Sequence, residues 1–392
     1  MRHEANHAKT LAKQTYYQKL SSKLTDSTTC PKQFWKITKQ LYGNKIQASI
    51  PPLIKNDIVY NSAQDKCNIF NETFTKKSKL PDEKPTLPTL NLTTLQRIET
   101  IQTTEEEVCK ILKSLDTSKA CGPDGVSPKL LKNTACTLAL PLKTLFNTSL
   151  RTGIFPSKWK RANVSPIHKK NDKQDVNNYR PISLLSCVGK LLERIVFMRL
   201  YEFCITNDLL TWRNSGYKHQ DSTINQMVFI CHKIYEALSS GSDVCLVSLD
   251  ASSAFDRVWH KGLLHKLRSI GVCGILLQWF ENYLTDRLQR VVIGGSSSEW
   301  IQIEAGVPQG SILGPLLFLI YINDIVEDVN SDILLFADDT SLLKTLIDER
   351  SVTEINTDLE KLRQWSLTWL VNFNPLKTKY MIFSKKKKQV KL

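Results

Sequence analysis

Two adjacent carboxylates, Asp338 and Asp339, interrupt an otherwise apolar stretch over residues 333–343. Apolar residues precede the pair and two leucines end the stretch, so the pattern predicts two short buried strands with the aspartates at the turn. Carboxylates crowded on a rigid turn repel each other, and a divalent cation relieves that repulsion. Mg²⁺ prefers carboxylate oxygens and takes further ligands from substrate phosphates. The alternative is a surface Asp-Asp turn that binds nothing.

A second acidic candidate, Asp250, ends a mostly apolar run over residues 244–249. The run predicts a buried strand, and adjacent strands of one sheet would bring Asp250 together with Asp338 and Asp339. Such a group suits two metal ions about 3.5 to 4 Å apart, which activate an attacking hydroxyl and stabilise a leaving phosphate. This pattern indicates phosphoryl transfer to a 3′-hydroxyl. For Asp250 alone, the structural alternative is a polar residue that caps a strand end.

The elements that must position these carboxylates are predicted from hydrophobic periodicity in a chain of 392 residues, 41% of them hydrophobic. This length and composition support a large core divided among about two or three lobes. A basic β-hairpin is predicted within residues 157–180. One helix is predicted from about Pro128 through Leu140 and another from Pro141 to Arg151. Apolar spacing predicts further helices over residues 188–203, 222–238, 313–325 and 351–369.

The charge of the chain points to a polyanionic partner. Lys and Arg outnumber Asp and Glu by 53 to 38, which gives a net charge of +15 and a pI near 9.3. Nucleic acid or an anionic membrane surface would fit this charge. Basic helices are predicted within residues 8–42, with a break near residues 26–31. Their aromatic residues would either stack on bases or pack on the protein body.

Composition also disfavours several classes of protein. The ten cysteines include no Cys-x-x-Cys pair, which argues against a zinc site and a thioredoxin-type redox centre. The N-terminus lacks an apolar signal region, and no apolar span of about 18 residues occurs. We therefore expect an intracellular protein, nuclear or cytoplasmic, with no membrane partner.

Six short motifs follow one another in a recognisable order. Three carry the candidate chemistry: residues 249–256, Gly306 to Ser311, and Phe336 to Asp339. The others are Gly122-Pro123-Asp124-Gly125, Tyr179-Arg180-Pro181-Ile182-Ser183 and Asn374-Pro375-Leu376-Lys377-Thr378-Lys379. With these motifs in this order, the chain resembles the reverse transcriptases of non-LTR (LINE-type, jockey/CR1-like) retrotransposons. The resemblance covers about residues 105–384.

The resemblance implies an α/β (α+β) right-hand polymerase fold with fingers, an antiparallel-sheet palm and a truncated thumb. The implied domains are a basic N-terminal extension and linker (1–104), fingers and the start of the palm (105–240), a palm with the catalytic motifs (241–350), and the palm end with the start of the thumb and a basic tail (351–392). The chain has no room for the endonuclease that often precedes such a polymerase, so we expect a fragment or a decayed copy.

The implied activity is RNA-directed DNA polymerisation by two-metal transfer of a dNTP to a primer 3′-hydroxyl. Its implied partners are an RNA template, a DNA primer and dNTP, and its cofactor is a pair of Mg²⁺ ions, with Mn²⁺ as a substitute. A remnant that binds nucleic acid without catalysis is the alternative. Group II intron maturases and telomerases share the catalytic core, but the chain shows no domain specific to either.

The resemblance also assigns roles to individual residues. Asp250 and Asp338 would be the principal metal ligands, with Asp339 and the Ala251 carbonyl completing the shell. Phe255 would lie under the incoming sugar and exclude a 2′-hydroxyl, unless it is simply a core residue.

The remaining roles concern the nucleotide and the template. Arg180, together with Lys169 or Lys170, would grip the triphosphate. Gln309 and Gly310 would lie against the nucleotide and template base. Lys377 would protonate the departing pyrophosphate, unless it or Lys379 only contacts phosphate. One segment departs from the family pattern, because it begins with Asn214-Ser215 where Gln-x is commoner, so template handling is expected to differ slightly.

Overall fold

A computed structural model describes residues 2–25, 34, 35, 37, 38, 50–81 and 86–386. The chain divides into two compact units, Met1–Pro51 and Pro52–Leu392. In the first unit, helix α1 (Arg2–Thr25) ends where the sequence predicts a break, and its Tyr16 and Tyr17 side chains are exposed. The predicted second basic helix lies largely outside the described residues.

The second unit contains most of the described helices and all the described strands. Its helices are α2 (Ala63–Lys77), α3 (Glu105–Lys113), α4 (Pro128–Asn133), α5 (Ala135–Thr152), α6 (Cys187–Thr206), α7 (Thr223–Ser239), α8 (His260–Ser269), α9 (Gly274–Leu284), α10 (Leu313–Ile322) and α11 (Glu349–Thr368). Its strands are β1 (Leu53–Lys55), β2 (Ile58–Tyr60), β3 (Arg161–His168), β4 (Tyr179–Leu184), β5 (Asp243–Asp250), β6 (Arg287–Ile293), β7 (Ser296–Ser297), β8 (Ile301–Ile303), β9 (Asp332–Phe336), β10 (Asp339–Leu346) and β11 (Lys379–Phe383).

A four-stranded antiparallel sheet carries the acidic residues, in the strand order β11-β5-β10-β9. Alternate residues of β5 face opposite sides: Val247 belongs to the main core together with the residues of α10, whereas Val244 packs with Ile230 of α7. Because helices cover both faces, strands β5 and β9 are mostly apolar. Helix α10 is itself buried all round, as expected for a helix without a polar face.

The second sheet contains the predicted basic hairpin. Strands β3 and β4 pair antiparallel, with Ile167 opposite Arg180, and β3 runs parallel to β6. Helix α2 packs against β6 and β7. The short β1–β2 hairpin before α2 was not predicted, because its strands are only three residues long.

One predicted helix boundary is wrong. Pro141 lies inside α5, and the break falls earlier, at Thr134. The hydroxyl and the backbone N–H of Thr134 donate to Leu130 O at 2.8 and 3.1 Å, which closes α4. The φ and ψ of Thr134, −105° and 19°, are not helical, so this residue rather than the proline separates the helices.

The arrangement confirms the predicted α+β class, with α3 to α6 and α8 to α11 sharing one large core with the four-stranded sheet. Within the part of the chain that the structure describes, no helix is both long enough and apolar enough to cross a bilayer.

Candidate active site

The acidic residues meet at one end of the four-stranded sheet. Strand register places Asp339 of β10 directly opposite Asp250 of β5, and the β9–β10 turn consists of Ala337 and Asp338. Residues opposite each other in an antiparallel pair project to the same face of the sheet. The hairpin predicted from the sequence is therefore present, and it brings the three carboxylates to one place.

A buried asparagine supports this turn. Asn214 is 3% exposed, and its Oδ1 accepts hydrogen bonds from Gly216 N at 2.9 Å and Ala337 N at 3.3 Å. Ala337 has a φ of +57°, a left-handed conformation that costs energy for a residue with a Cβ. Asn214 therefore helps to hold the strained residue that precedes Asp338, a structural role for the residue at which the sequence departs from the family pattern.

Charge is concentrated around the turn. Desolvation raises the pKa of Asp338, and the negative charges of Asp339 and Asp250 raise it further. Across the site, Nζ of Lys377 lies 2.8 Å from Oδ2 of Asp250. The segment that carries Lys377 is fixed to the end of β5, because Asn374 N donates to Asp250 O at 2.8 Å.

A cleft beside the carboxylates gathers most of the predicted site residues. It is lined by eight of them: Lys169, Arg180, Asp250, Ala251, Phe255, Gln309, Asp338 and Lys377. Lys170 is not in this lining, so the structure distinguishes it from Lys169. Desolvation and the positive charges of Arg180 and Lys377 lower the pKa of Lys169, whereas Asp250 raises it. The cleft therefore combines clustered cations with clustered carboxylates, as an anionic ligand that carries metal ions would require.

Phe255 is a partly buried wall of the cleft. One side of its ring stacks on Phe318 of α10, with centroids 4.7 Å apart, and Tyr217 packs edge-on at 6.0 Å. The ring is therefore held in place by aromatic neighbours while it lines the cleft. This combines the two interpretations of Phe255, since the residue packs on the core and also faces the cleft.

Gln309 lines the cleft, whereas Gly310 and Asp339 do not. Gly310 lies against β4: Gln309 O accepts from Ser183 N at 2.8 Å, and a Cβ on Gly310 would lie 2.5 Å from Ser183 O. With a φ of +129° as well, this position admits only glycine without strain. Asp339 is exposed beside the cleft.

The carboxylates have the donor chemistry that a divalent cation prefers. Lys377 already places a positive charge on Asp250, and desolvation together with the neighbouring carboxylates raises the pKa of Asp338. Among the residues that the structure describes, however, no group of three His, Cys, Asp or Glu is arranged to hold a metal ion. The cation that contacts Asp250 in this structure is the ammonium group of Lys377.

Several cleft residues were not predicted from the sequence. Lys77 of α2, Tyr217 and Asp256 all line the cleft. Tyr217 and Asp256 belong to segments already singled out by the motifs, and a charged residue directly after an aromatic one in an apolar context was an available signal for Asp256. Lys77 lies among other lysines near the end of a helix, and nothing in that pattern distinguishes it.

Comparison with protein families identifies a match over the second half of the chain. Residues 167–392 match the family "Reverse transcriptase (RNA-dependent DNA polymerase)". The matched range includes all ten predicted site residues but excludes α2 and its Lys77.

Individual relatives extend this similarity. The chain is 33% identical over 286 residues to the "Probable RNA-directed DNA polymerase from transposon BS" of Drosophila melanogaster, covering 70% of the chain and 31% of that protein. It is 31% identical to the "RNA-directed DNA polymerase from mobile element jockey" of the same species, covering 72% and 32%. The Drosophila funebris protein of the same name is 28% identical, covering 95% and 42%. The chain thus spans between 31% and 42% of the length of these relatives.

Proposed function

Because this chain belongs to the reverse transcriptase (RNA-dependent DNA polymerase) family, which confirms the family predicted from its motifs, we propose that it polymerises DNA on an RNA template. The relatives with that printed activity come from mobile elements, and the chain would act in such a non-LTR element. The observation that carries the proposal is the cleft in which Asp250 and Asp338 face Lys169 and Arg180. Its substrates would be an RNA template, a DNA primer and dNTP.

In this proposal, the four-stranded sheet is the palm and the β3–β4 hairpin belongs to the fingers. Asp250, Asp338 and Asp339 hold two divalent cations, Mg²⁺ or Mn²⁺, with the Ala251 carbonyl as a further ligand. When bound, such ions lower the pKa of the primer hydroxyl and stabilise the charge on the leaving phosphate. The protein's own contribution is the strand register, which fixes Asp250 against Asp339, and the turn that presents Asp338.

The nucleotide would lie along the rest of the cleft. Lys169 and Arg180 bind the triphosphate, Arg180 through its planar fork and Lys169 as a point charge. Phe255 lies under the sugar, where its bulk disfavours a 2′-hydroxyl. Gln309 contacts the nucleotide, and Gly310 lets the loop approach β4 closely. Lys377 would donate a proton to the departing pyrophosphate once Asp250 has released it.

The test is primer extension on a primed RNA template by this chain and by Asp250→Asn and Asp338→Asn variants. Each substitution removes a carboxylate and keeps the side-chain size, so we expect incorporation to be abolished while the unfolding temperature stays near that of the parent. Asp328→Asn, at an exposed turn residue with a φ of +58°, is the control and should retain activity. A parental rate in either site variant would contradict the assignment of the carboxylates. Salt-sensitive nucleic-acid binding by the parent without synthesis would favour the inactive remnant instead.

A further inference from the structure

Hydrogen bonds join the turn after β5 to the loop after β8 along one wall of the cleft. Gly306 N donates to Val258 O and Val307 N donates to Phe255 O, both at 2.8 Å. A Cβ at Gly306 would lie 2.6 Å from the carbonyl oxygen of Asp256, so the two backbones are in direct contact. The turn and the loop therefore form one frame, and side chains that meet across it have fixed positions.

Asp256 and Gln309 meet across this frame. Nε2 of Gln309 donates to Oδ1 of Asp256 at 2.7 Å. An ionised carboxylate can only accept hydrogen bonds, so Asp256 selects the amide nitrogen of Gln309 and turns the amide oxygen away from itself. Both residues line the cleft that contains Asp250 and Asp338. The Asp256 contact thereby leaves Oε1 of Gln309 available to accept a hydrogen bond from a ligand in the cleft.

The carboxylate of Asp256 is mostly ionised at neutral pH, although burial disfavours its charged form. Desolvation raises the pKa of Asp256 to about 6, while the Gln309 hydrogen bond and the positive charge of Lys77 oppose the rise. Lys77 lies on α2, where Asp256, Lys169 and Asp175 are its charged neighbours. Lys77 therefore favours the form of Asp256 that orients Gln309.

We propose that Asp256 is a positioning residue that fixes the amide of Gln309, so that the amide oxygen accepts a hydrogen bond from the incoming nucleotide. The inference rests on the proposed function, because it takes the nucleotide as the ligand of the cleft. Asp256 does not itself contact the reacting atoms, and it acts on the nucleotide through Gln309 alone. A hydrogen-bond donor on the sugar or base is the part of the nucleotide that such an acceptor would recognise.

The first test is a double-mutant cycle measured by steady-state primer extension. Asp256→Ala and Gln309→Ala should each raise the KM for dNTP by roughly tenfold, the effect of one lost hydrogen bond, with a much smaller change in kcat. The double variant should be no worse than Gln309→Ala, because Asp256 acts only through that side chain. Asp256→Asn keeps the volume but adds an amide donor that lets the Gln309 amide turn around, so it should also raise the KM for dNTP, and it guards against misfolding of the alanine variant.

The second test is the pH dependence of the same KM. Below pH of about 6, a protonated Asp256 can donate a hydrogen bond, which lets the Gln309 amide turn around, so the KM for dNTP should rise as the pH falls through that value. Asp256→Asn should lack this step. Lys77→Met removes the cation that favours the carboxylate, so it should move the step to higher pH. Lys76→Met, at the exposed neighbouring residue, should leave it in place.

The possible results separate this inference from the proposed function. Suppose that the parent extends primers. The positioning role is overturned, and the polymerase proposal stands, if the effects of Asp256→Ala and Gln309→Ala on the KM multiply. The same conclusion follows if Asp256→Ala changes only kcat or the unfolding temperature. If the parent neither extends a primer nor binds dNTP on a template with a 3′-deoxy-terminated primer, both are overturned. The positioning role is supported if both alanine variants and the double variant show a similar rise in the KM for dNTP, and if the parent shows the pH step.

Discussion

Lys377 donates a hydrogen bond from Nζ to Oδ2 of Asp250 at 2.8 Å, joining the segment before β11 to the end of β5. The ammonium group is therefore a counter-charge with which a metal ion at Asp250 would compete. If Lys377 also protonates the leaving pyrophosphate, it opposes metal binding at Asp250 but assists the chemical step. We expect Lys377→Ala to lower the Mg²⁺ concentration that gives half-maximal incorporation, and to lower kcat by about 10²-fold or more.

Both quantities come from one Mg²⁺ titration of primer extension at saturating dNTP. Lys377→Arg keeps the charge beside Asp250, so its Mg²⁺ requirement should stay near that of the parent, although its kcat should fall because arginine does not release its proton. Lys385→Ala, at an exposed residue just after β11, is the matched control and should change neither value. A change in the Mg²⁺ requirement without loss of kcat would leave Lys377 as a counter-charge only.

The stacking of Phe255 on Phe318 makes a prediction about sugar selection. Phe255→Val removes the ring that faces the cleft, so the preference for dNTP over rNTP should fall by roughly 10 to 200-fold, the range that shape complementarity in an apolar pocket achieves. The value of kcat/KM for dNTP should change much less. The measurement is incorporation of matched dNTP and rNTP on the same primed template.

Phe229→Val is the control for lost aromatic packing, since Phe229 is a partly buried residue packed with the smaller core under α7. It should lower the unfolding temperature without affecting sugar selection. Unchanged rNTP discrimination in Phe255→Val, together with a similar loss of stability, would mean that Phe255 is a core residue and nothing more.

The sequence patterns predict elements and residue types better than they predict contacts between distant segments. Apolar runs ending in acids correctly predict β5 and the β9–β10 hairpin, because period and turn chemistry are local. These patterns do not distinguish Lys169 from Lys170, because the way in which the β3–β4 hairpin packs on the rest of the protein determines which lysine faces the cleft. The family resemblance supplies the site residues, but their roles remain predictions.

The contacts that were not predicted join residues far apart in the chain. Asp256 and Gln309 are separated by 53 positions, and Asn214 and Ala337 by 123. Each contact depends on the tertiary fold, and neither partner has a periodicity that signals it. The helix boundary at Thr134 has a different cause, because a proline inside a helix is a stronger sequence signal than the threonine at which α4 ends.

The two hydrogen bonds that Asn214 accepts make a prediction about the acidic turn. Asn214→Ala leaves the N–H groups of Gly216 and Ala337 without that acceptor, and an unpaired buried polar group costs about 1 to 3 kcal/mol. We expect a lower free energy of unfolding in urea and a larger loss of incorporation than stability alone explains, since Ala337 holds the strained conformation next to Asp338. Asn207→Ala, which removes a hydrogen bond of 2.8 Å to Phe203 O at the end of α6, is the control and should lower stability without selectively lowering incorporation.

Asn214→Asp separates the hydrogen bond from the charge. The carboxylate keeps an acceptor for both N–H groups but adds a negative charge beside Asp338, whose pKa is already raised by Asp339 and Asp250. A further like charge raises that pKa more, so Asp338 would remain protonated to a higher pH. If Asp338 must be ionised to bind the metal, incorporation by Asn214→Asp should therefore begin at higher pH than in the parent, as measured by primer extension across a pH series. If Asn214→Asp folds but its incorporation begins at the same pH as in the parent, the charge at residue 214 does not affect the pKa of Asp338. Asn214 then acts on the turn through geometry alone.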